Sequence, residues 1–247
     1  MQRFFVSLLR VLLWLSLGAL PSLLFFFWIE RNCALPWLPI QWGWPWMDFS
    51  ESSLAFKSFW NVSLILLFGL IHSACAQKPF GALLRRAAIP LSWDRTLYWA
   101  ITGVTCLGVM GFWQSTGVIL WAVPLSAFWL GGVSLTFFGL FMTLAVLPIL
   151  KIGTGHFLGL KPSSEEGGPL IQTGIYSRLR HPIYFFTILA VTVTPFLTFD
   201  RALVLIGFLL YLLGFGIRWE ERKLRGLYGE AYDRYREKVP ALFPRLF

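Results

Sequence analysis

Apolar residues run in long, nearly uninterrupted blocks along this chain, separated by short polar segments. The blocks mark six candidate membrane spans, at about 4–29, 54–76, 97–114, 124–150, 183–199 and 202–218. Each is near or below the roughly 20 apolar residues that cross a bilayer as a helix. The expected fold is all-α, a polytopic helical bundle forming one domain over residues 1–247. The last two blocks are so close that a tight connection over Thr198–Arg201 is expected to fold them into an antiparallel hairpin. After it, Leu224, Leu227, Tyr228, Ala231, Tyr232 and Tyr235 recur at helical spacing among charged residues, which predicts an amphipathic cytoplasmic helix ending by Pro240.

Composition agrees: 57% of the 247 residues are hydrophobic and 13% charged, with a mean hydropathy of +0.66. That excludes an ordinary soluble domain. The net charge of +9 is distributed by topology and forms no continuous face, so no nucleic-acid partner is expected. Eighteen of the 21 Lys and Arg residues fall in alternate loops and both termini, leaving Arg31, Lys57 and Arg201 on the other side. The positive-inside rule then puts both termini and the 151–182 loop in the cytoplasm, with a bacterial inner membrane as the expected setting. The first span is longer than a signal-peptide core and has no clear A-x-A site, so it is expected to be retained. Between it and the second, Pro36, Pro39 and Pro45 alternate with four tryptophans from Trp37 to Trp46, which predicts an interfacial loop.

Candidate chemistry lies at two charged clusters. In G-I-Y-S-R-L-R-H-P-I-Y, residues 174–184, Pro182 suits a first helical turn and leaves Arg180 and His181 at the mouth of the fifth span. Cationic groups and helix-end donors there favour an anionic group such as a carboxylate. In R-W-E-E-R-K-L, residues 218–224, Glu220 and Glu221 leave the sixth span and can bind an ammonium or ribose hydroxyls, or simply pair with nearby arginines. A hairpin brings the two clusters together. His72, in F-G-L-I-H-S-A-C-A at 68–76, is an ionisable group within the second span, either bonded to a neighbouring helix or lining a substrate cavity, with Asn61 as a weaker companion. Cys33, Cys75 and Cys106 show no paired spacing, and with His156 the three histidines form no metal-ligand pattern, so no metal is expected.

In combined order, R-H-P-I-Y, a short apolar hairpin, W-E-E-R-x-L and Y-G-E-A-Y-D-R-Y-R-E-K-V-P resemble the membrane methyltransferases related to isoprenylcysteine carboxyl methyltransferase and bacterial phospholipid methyltransferases. The resemblance covers about residues 169–244. It implies that this region binds S-adenosyl-L-methionine through Tyr176, Arg180, His181, Pro182, Tyr184, Glu220 and Glu221. F-G-L-I-H-S-A-C-A-Q-K-P-F at 68–80, D-R-T-L-Y at 94–98, F-W-Q at 112–114 and V-T-P-F-L-T at 193–198 are similar to the branch containing methanethiol S-methyltransferase and NnrU-like proteins. Gln77 departs from the basic residue of that branch, and G-H-F-L-G-L at 155–160 matches its loop only in part.

The implied reaction is methyl transfer to a small thiol, with methanethiol to dimethyl sulfide as first candidate and His72, Arg180 and His181 as catalytic candidates. Expected partners are a small or lipid-soluble methyl acceptor and membrane lipids. Alternatives are methylation of an isoprenylcysteine carboxylate or lipid headgroup, a nicotinamide-dependent membrane reductase, and a non-enzymatic transport or accessory protein.

Overall fold

The computed structural model describes residues 51–90, 93–124, 126–152 and 169–244, with isolated positions before 51. The 4–29 span, the Trp37–Trp46 loop, Cys33, His156 and the 155–160 segment lie outside the described residues as elements. The described helices are α1 (Leu54–Cys75), α2 (Lys78–Arg86), α3 (Asp94–Phe112), α4 (Ala127–Ile152), α5 (Pro182–Thr192), α6 (Phe199–Tyr211), α7 (Ile217–Tyr228) and α8 (Glu230–Lys238). Two short strands, β1 (Ile119–Ala122) and β2 (Phe196–Thr198), pair antiparallel. Leu212–Gly216 forms a π-helical segment that joins α6 and α7 into one continuous rod.

α1 packs against both α3 and α6, and α5 is held between α6 and α4. Their shared core contains Ile65, Cys106, Val109, Trp113, Val191, Leu203 and Val204. Large apolar side chains nevertheless face outward, among them Phe59, Leu67, Val104, Leu140, Leu210 and Leu213. Polar side chains are buried instead, including Asn61, Thr102, Gln114, Ser134, Asp200 and Arg201. That inversion suits a hydrocarbon solvent, where outward apolar area carries no penalty and inward polar groups find partners. α1 and the 199–228 rod are long and apolar enough to cross a membrane; Thr96–Phe112, Gly132–Pro148 and Pro182–Thr192 are shorter apolar stretches. The protein is a mostly helical membrane protein.

The 183–199 span is corrected by the structure. Its helix stops at Thr192, and Phe196–Thr198 becomes β2. Pro195 explains the break, because it lacks an N–H and disfavours helical backbone at Thr194 before it. The connection is therefore 193–198, not 198–201. Thr198 caps the next helix, its hydroxyl accepting from the Arg201 N–H at 3.2 Å, so that helix starts at Phe199 and the 202–218 span begins earlier than the apolar block suggests. The amphipathic helix is likewise divided. Gly229, with φ of +55°, ends α7 and starts α8.

Arg201, read as a loop charge, is fully buried. Its guanidinium donates to Val191 O at 2.6 Å and Ala190 O at 2.9 Å, satisfying carbonyls at the C-terminal end of α5. Beside it, Asp200 accepts from Trp113 Nε1 at 3.1 Å and from the Thr116 N–H and hydroxyl. Asn61 and Gln114 exchange two bonds, Asn61 Nδ2 to Gln114 O at 2.7 Å and Gln114 N to Asn61 Oδ1 at 2.9 Å. These contacts tie α1, α3 and α6 together at the end of α5 remote from His181. F-W-Q and V-T-P-F-L-T both belong to this structural network.

Candidate functional site at the mouth of α5

Pro182 occupies the first position of α5 and His181 its N-cap. The extended tail after α8 runs alongside them: Arg180 N donates to Pro240 O and His181 N to Ala241 O, both at 3.0 Å. Two backbone donors expected to serve an anion at this mouth are thus already bonded to the tail. The Arg180 side chain points the same way, donating to Arg236 O at 2.9 Å and to Val239 O.

The acidic pair arrives on α7. Arg180 Nε donates to Glu221 Oε1 at 2.9 Å, with Nη2 making a second bond to the same oxygen. His181 lies between both carboxylates, Nε2 at 3.3 Å from Glu221 Oε1 and Nδ1 at 3.3 Å from Glu220 Oε2. Its imidazole stacks on Tyr184, with centroids 5.5 Å apart and planes 16° apart. Tyr184 is also close enough to Glu220 to feel its charge. Tyr176 is buried in the turn before Arg180, and its carbonyl accepts from the Tyr235 hydroxyl at 2.6 Å. The structure therefore gathers Tyr176, Arg180, His181, Pro182, Tyr184, Glu220 and Glu221 around one mouth.

Burial works to lower the basicity of His181, but the close approach and charge of Glu220 and Glu221 outweigh it and raise its pKa to about 9. Burial works to raise the Glu221 carboxyl, but the bonds and charges of His181 and Arg180 bring it down to about 2. Glu220 is held below the usual carboxylate range in the same way, with burial opposed chiefly by His181. At neutral pH the mouth therefore holds two cations against two carboxylates.

Two buried polar atoms have no aligned hydrogen-bond partner among the described residues, Glu220 Oε2 and the Tyr232 hydroxyl. His181 is near the first but off the hydrogen-bond direction. A buried acceptor left this way is costly unless a donor arrives. Surface depressions beside α7 and α8, one lined by Gln172, Arg234 and Tyr235 and one by Arg225, Asp233 and Arg236, do not include His181 or Glu220.

His72 stands apart from the mouth, in the last turn of α1. Tyr98 Oη is 2.7 Å from its Nε2 and Thr102 Oγ1 is 3.1 Å from its Nδ1, both from α3. It is bonded to a neighbouring helix, yet it lies within the field of Glu220. Among the described residues no group of three or more His, Cys, Asp or Glu is arranged to hold a metal, and neither Cys75 nor Cys106 is joined in a disulfide.

A model of the phospholipid methyltransferase family matches residues 126–231, which contain both R-H-P-I-Y and E-E. Methanethiol S-methyltransferase of Pseudomonas deceptionensis is 28% identical over 197 residues, covering 75% of this chain and 72% of the relative. The Mycobacterium tuberculosis protein of the same name is 28% identical over 192 residues, covering 74% and 77%. Nurim of Rattus norvegicus is 33% identical over 192 residues, covering 72% and 71%. The chain belongs to the phospholipid and isoprenylcysteine methyltransferase-like family. Its similarity to methanethiol S-methyltransferases and nurim agrees with the branch indicated by the N-terminal motifs. No solved structure matches it significantly.

Membership of this membrane methyltransferase family gives the cluster at 180–221 a chemical context. The motifs made Arg180, His181, Glu220 and Glu221 visible in sequence, whereas Tyr98 and Tyr211 were not singled out. Tyr98 ends D-R-T-L-Y and so was present in a motif without a role. Tyr211, bonded through its hydroxyl to Ser73 of α1, had no sequence signal beyond being a tyrosine in an apolar helix.

Proposed function

We propose that this chain is an S-adenosylmethionine-dependent membrane methyltransferase acting on a small thiol, with methanethiol to dimethyl sulfide as the first candidate reaction. The observation that carries the reading is the convergence of Arg180 and His181 with Glu220 and Glu221 at one helix mouth. The names of the methanethiol S-methyltransferase relatives support the choice of acceptor.

The residues suit a ligand carrying both a carboxylate and an ammonium. Arg180 and His181 would hold the carboxylate, while Glu220, whose Oε2 lacks an aligned donor, would accept from the ammonium or ribose hydroxyls. The region 169–244 is then the cofactor-binding part of a single domain, with Tyr176, Pro182 and Tyr184 shaping its wall. S-adenosylmethionine, when bound, supplies an electrophilic sulfonium methyl. The protein's work is alignment, desolvation and maintenance of a thiolate near positive charge. His72 serves the acceptor, by orienting or deprotonating it. This reading has an even number of spans, a C-terminal hairpin and both termini in the cytoplasm of a bacterial inner membrane.

The phospholipid methyltransferase match favours one other acceptor, a lipid headgroup. Purified protein in lipid, given methyl-labelled S-adenosylmethionine and a panel of thiols, carboxylates and phospholipids, separates them. Labelled dimethyl sulfide from methanethiol is expected. Label appearing in lipid instead overturns the acceptor, and absence of both cofactor binding and transfer overturns the enzyme reading.

A further inference from the structure

Thr102 has one hydroxyl proton, and it donates that proton to the Tyr98 carbonyl at 2.8 Å. Its oxygen therefore meets His72 as an acceptor. His72 Nδ1 must carry the hydrogen in the 3.1 Å contact, leaving Nε2 as a lone pair. The partner of that lone pair, 2.7 Å away, is the Tyr98 hydroxyl, which must donate. The three residues thus have one consistent proton arrangement: Tyr98 O–H to His72 Nε2, His72 Nδ1–H to Thr102 Oγ1, and Thr102 O–H to backbone.

This chain of bonds has a direction. The imidazole is held between Phe68, stacked at 5.7 Å, and Tyr98, at 4.9 Å, and Thr102 is buried at 5% exposure. On the α5 side, Tyr98 and Tyr211 are both near enough to Tyr184 to act on it electrostatically. The groups around this junction are His72 of α1, Tyr98 of α3, Tyr184 of α5, Tyr211 of α6 and Glu220 of α7. Five helices contribute, and the Tyr98 hydroxyl is bonded to the histidine.

We propose that Tyr98 is the residue that touches the acceptor thiol and that Tyr98 and His72 form a proton relay. The proposal rests on the thiol-methylating reading above. The thiol S–H bond breaks as its proton passes to Tyr98 Oη, while the original phenol proton passes to His72 Nε2. The products of this step are a thiolate, a neutral tyrosine and an imidazolium whose Nδ1–H remains bonded to Thr102. The thiolate electron pair then forms the new S–CH3 bond, and the old bond from that methyl to the sulfonium sulfur breaks with its pair retained by the departing sulfide. After product release, the extra proton returns through Tyr98 to water. Tyr98 is catalytic in this scheme, and His72 and Thr102 act through it.

Two thiols of similar size test the relay, ethanethiol and the more acidic trifluoroethanethiol. The second needs less help to ionise. General-base assistance is typically worth about a hundredfold or more, so Tyr98→Phe should lower kcat by about that factor with ethanethiol and by less than about tenfold with trifluoroethanethiol. Cofactor affinity, measured by calorimetry on the same lipid-reconstituted preparation, should be unchanged. Thr102→Val leaves the phenol in place but removes the acceptor that fixes the imidazole tautomer. It should give the same ordering of thiols with a smaller loss, and supplies the test if Tyr98→Phe does not fold. Equal losses with both thiols, or normal turnover, overturn the relay while leaving the thiol reading intact. A wild-type protein that binds the cofactor but methylates neither thiol overturns the thiol reading, and the relay with it.

Discussion

Glu221 is the carboxylate on which the mouth depends most directly, because it accepts from Arg180 and lies against His181 while keeping only 15% side-chain exposure. Its effect on stability has two pH limits. The raised His181 contributes stability that is fully present below its ordinary value of 6.5 and is lost as pH rises through about 9. The lowered Glu221 contributes stability present above its ordinary 4.5 and lost as pH falls through about 2. The mouth is most stable between those limits. Glu221→Gln should destabilise the protein by about 2 kcal/mol, below the usual 3–5 for a fully buried pair because some solvent remains. It should also bring His181 down from its position near 9. Thermal unfolding in detergent from pH 6 to 10, with an NMR titration of the imidazole, checks both. An unshifted His181 would show that Glu220 alone holds it raised.

Between the acidic pair and the apolar part of the same rod lies the π-helical segment Leu212–Gly216. One extra residue in a helix rotates everything after it by about 100°, so this segment sets which face carries Glu220 and Glu221. Its neighbour Tyr211 folds over Gly216 and against Gly69 of α1, and its hydroxyl meets Ser73 one turn farther along α1. A Cβ at Gly69 would come within 2.5 Å of the Tyr211 ring, and one at Gly207 within 2.9 Å of Ile65. Neither rigid neighbour can easily give way. Gly69→Ala should therefore cost about 1–3 kcal/mol through overpacking and reduce cofactor binding by displacing α7. Gly108→Ala, where a Cβ meets nothing within 4 Å, is the control and should be neutral or slightly stabilising. Equal melting temperatures for the two variants would show that Tyr211 does not fix the α1–α6 spacing.

For the molecule as a whole, the basic residues predict orientation. A cysteine placed between Trp37 and Trp46 and another after Lys238, each in a background with the native cysteines replaced, should react with an impermeant maleimide from opposite faces of an inner-membrane vesicle. Reaction from the same face would remove the even-span topology. The structure agrees with a lipid environment at this scale, with Phe59 and Leu213 turned outward and Asn61 and Arg201 turned in.

Apolar block length, basic-loop alternation and the R-H-P and E-E motifs were legible in the chain, since each depends on composition or local order. Pro182 marked the start of α5, because it acts on its own backbone, whereas the helical spacing of Leu224–Tyr235 concealed the break at Gly229. The early end at Thr192 was less legible: Pro195 lies inside an otherwise apolar run, and only pairing of Phe196–Thr198 with Ile119–Ala122 shows what replaces the helix. Arg201 was misread for the same reason. Its charge argues for an exposed loop, whereas the free carbonyls of Ala190 and Val191, supplied by folding, make a buried site for it. Glu220 and Glu221 were identifiable from sequence, but which oxygen faces Arg180, which faces His181 and which remains without an aligned donor depend on how α7 is rotated by the π segment. Sequence thus determined the solvent and the chemical inventory, through hydrophobicity and motif. Tertiary structure alone decided the pairings, because they join residues from separate helices and no local spacing encodes their rotation.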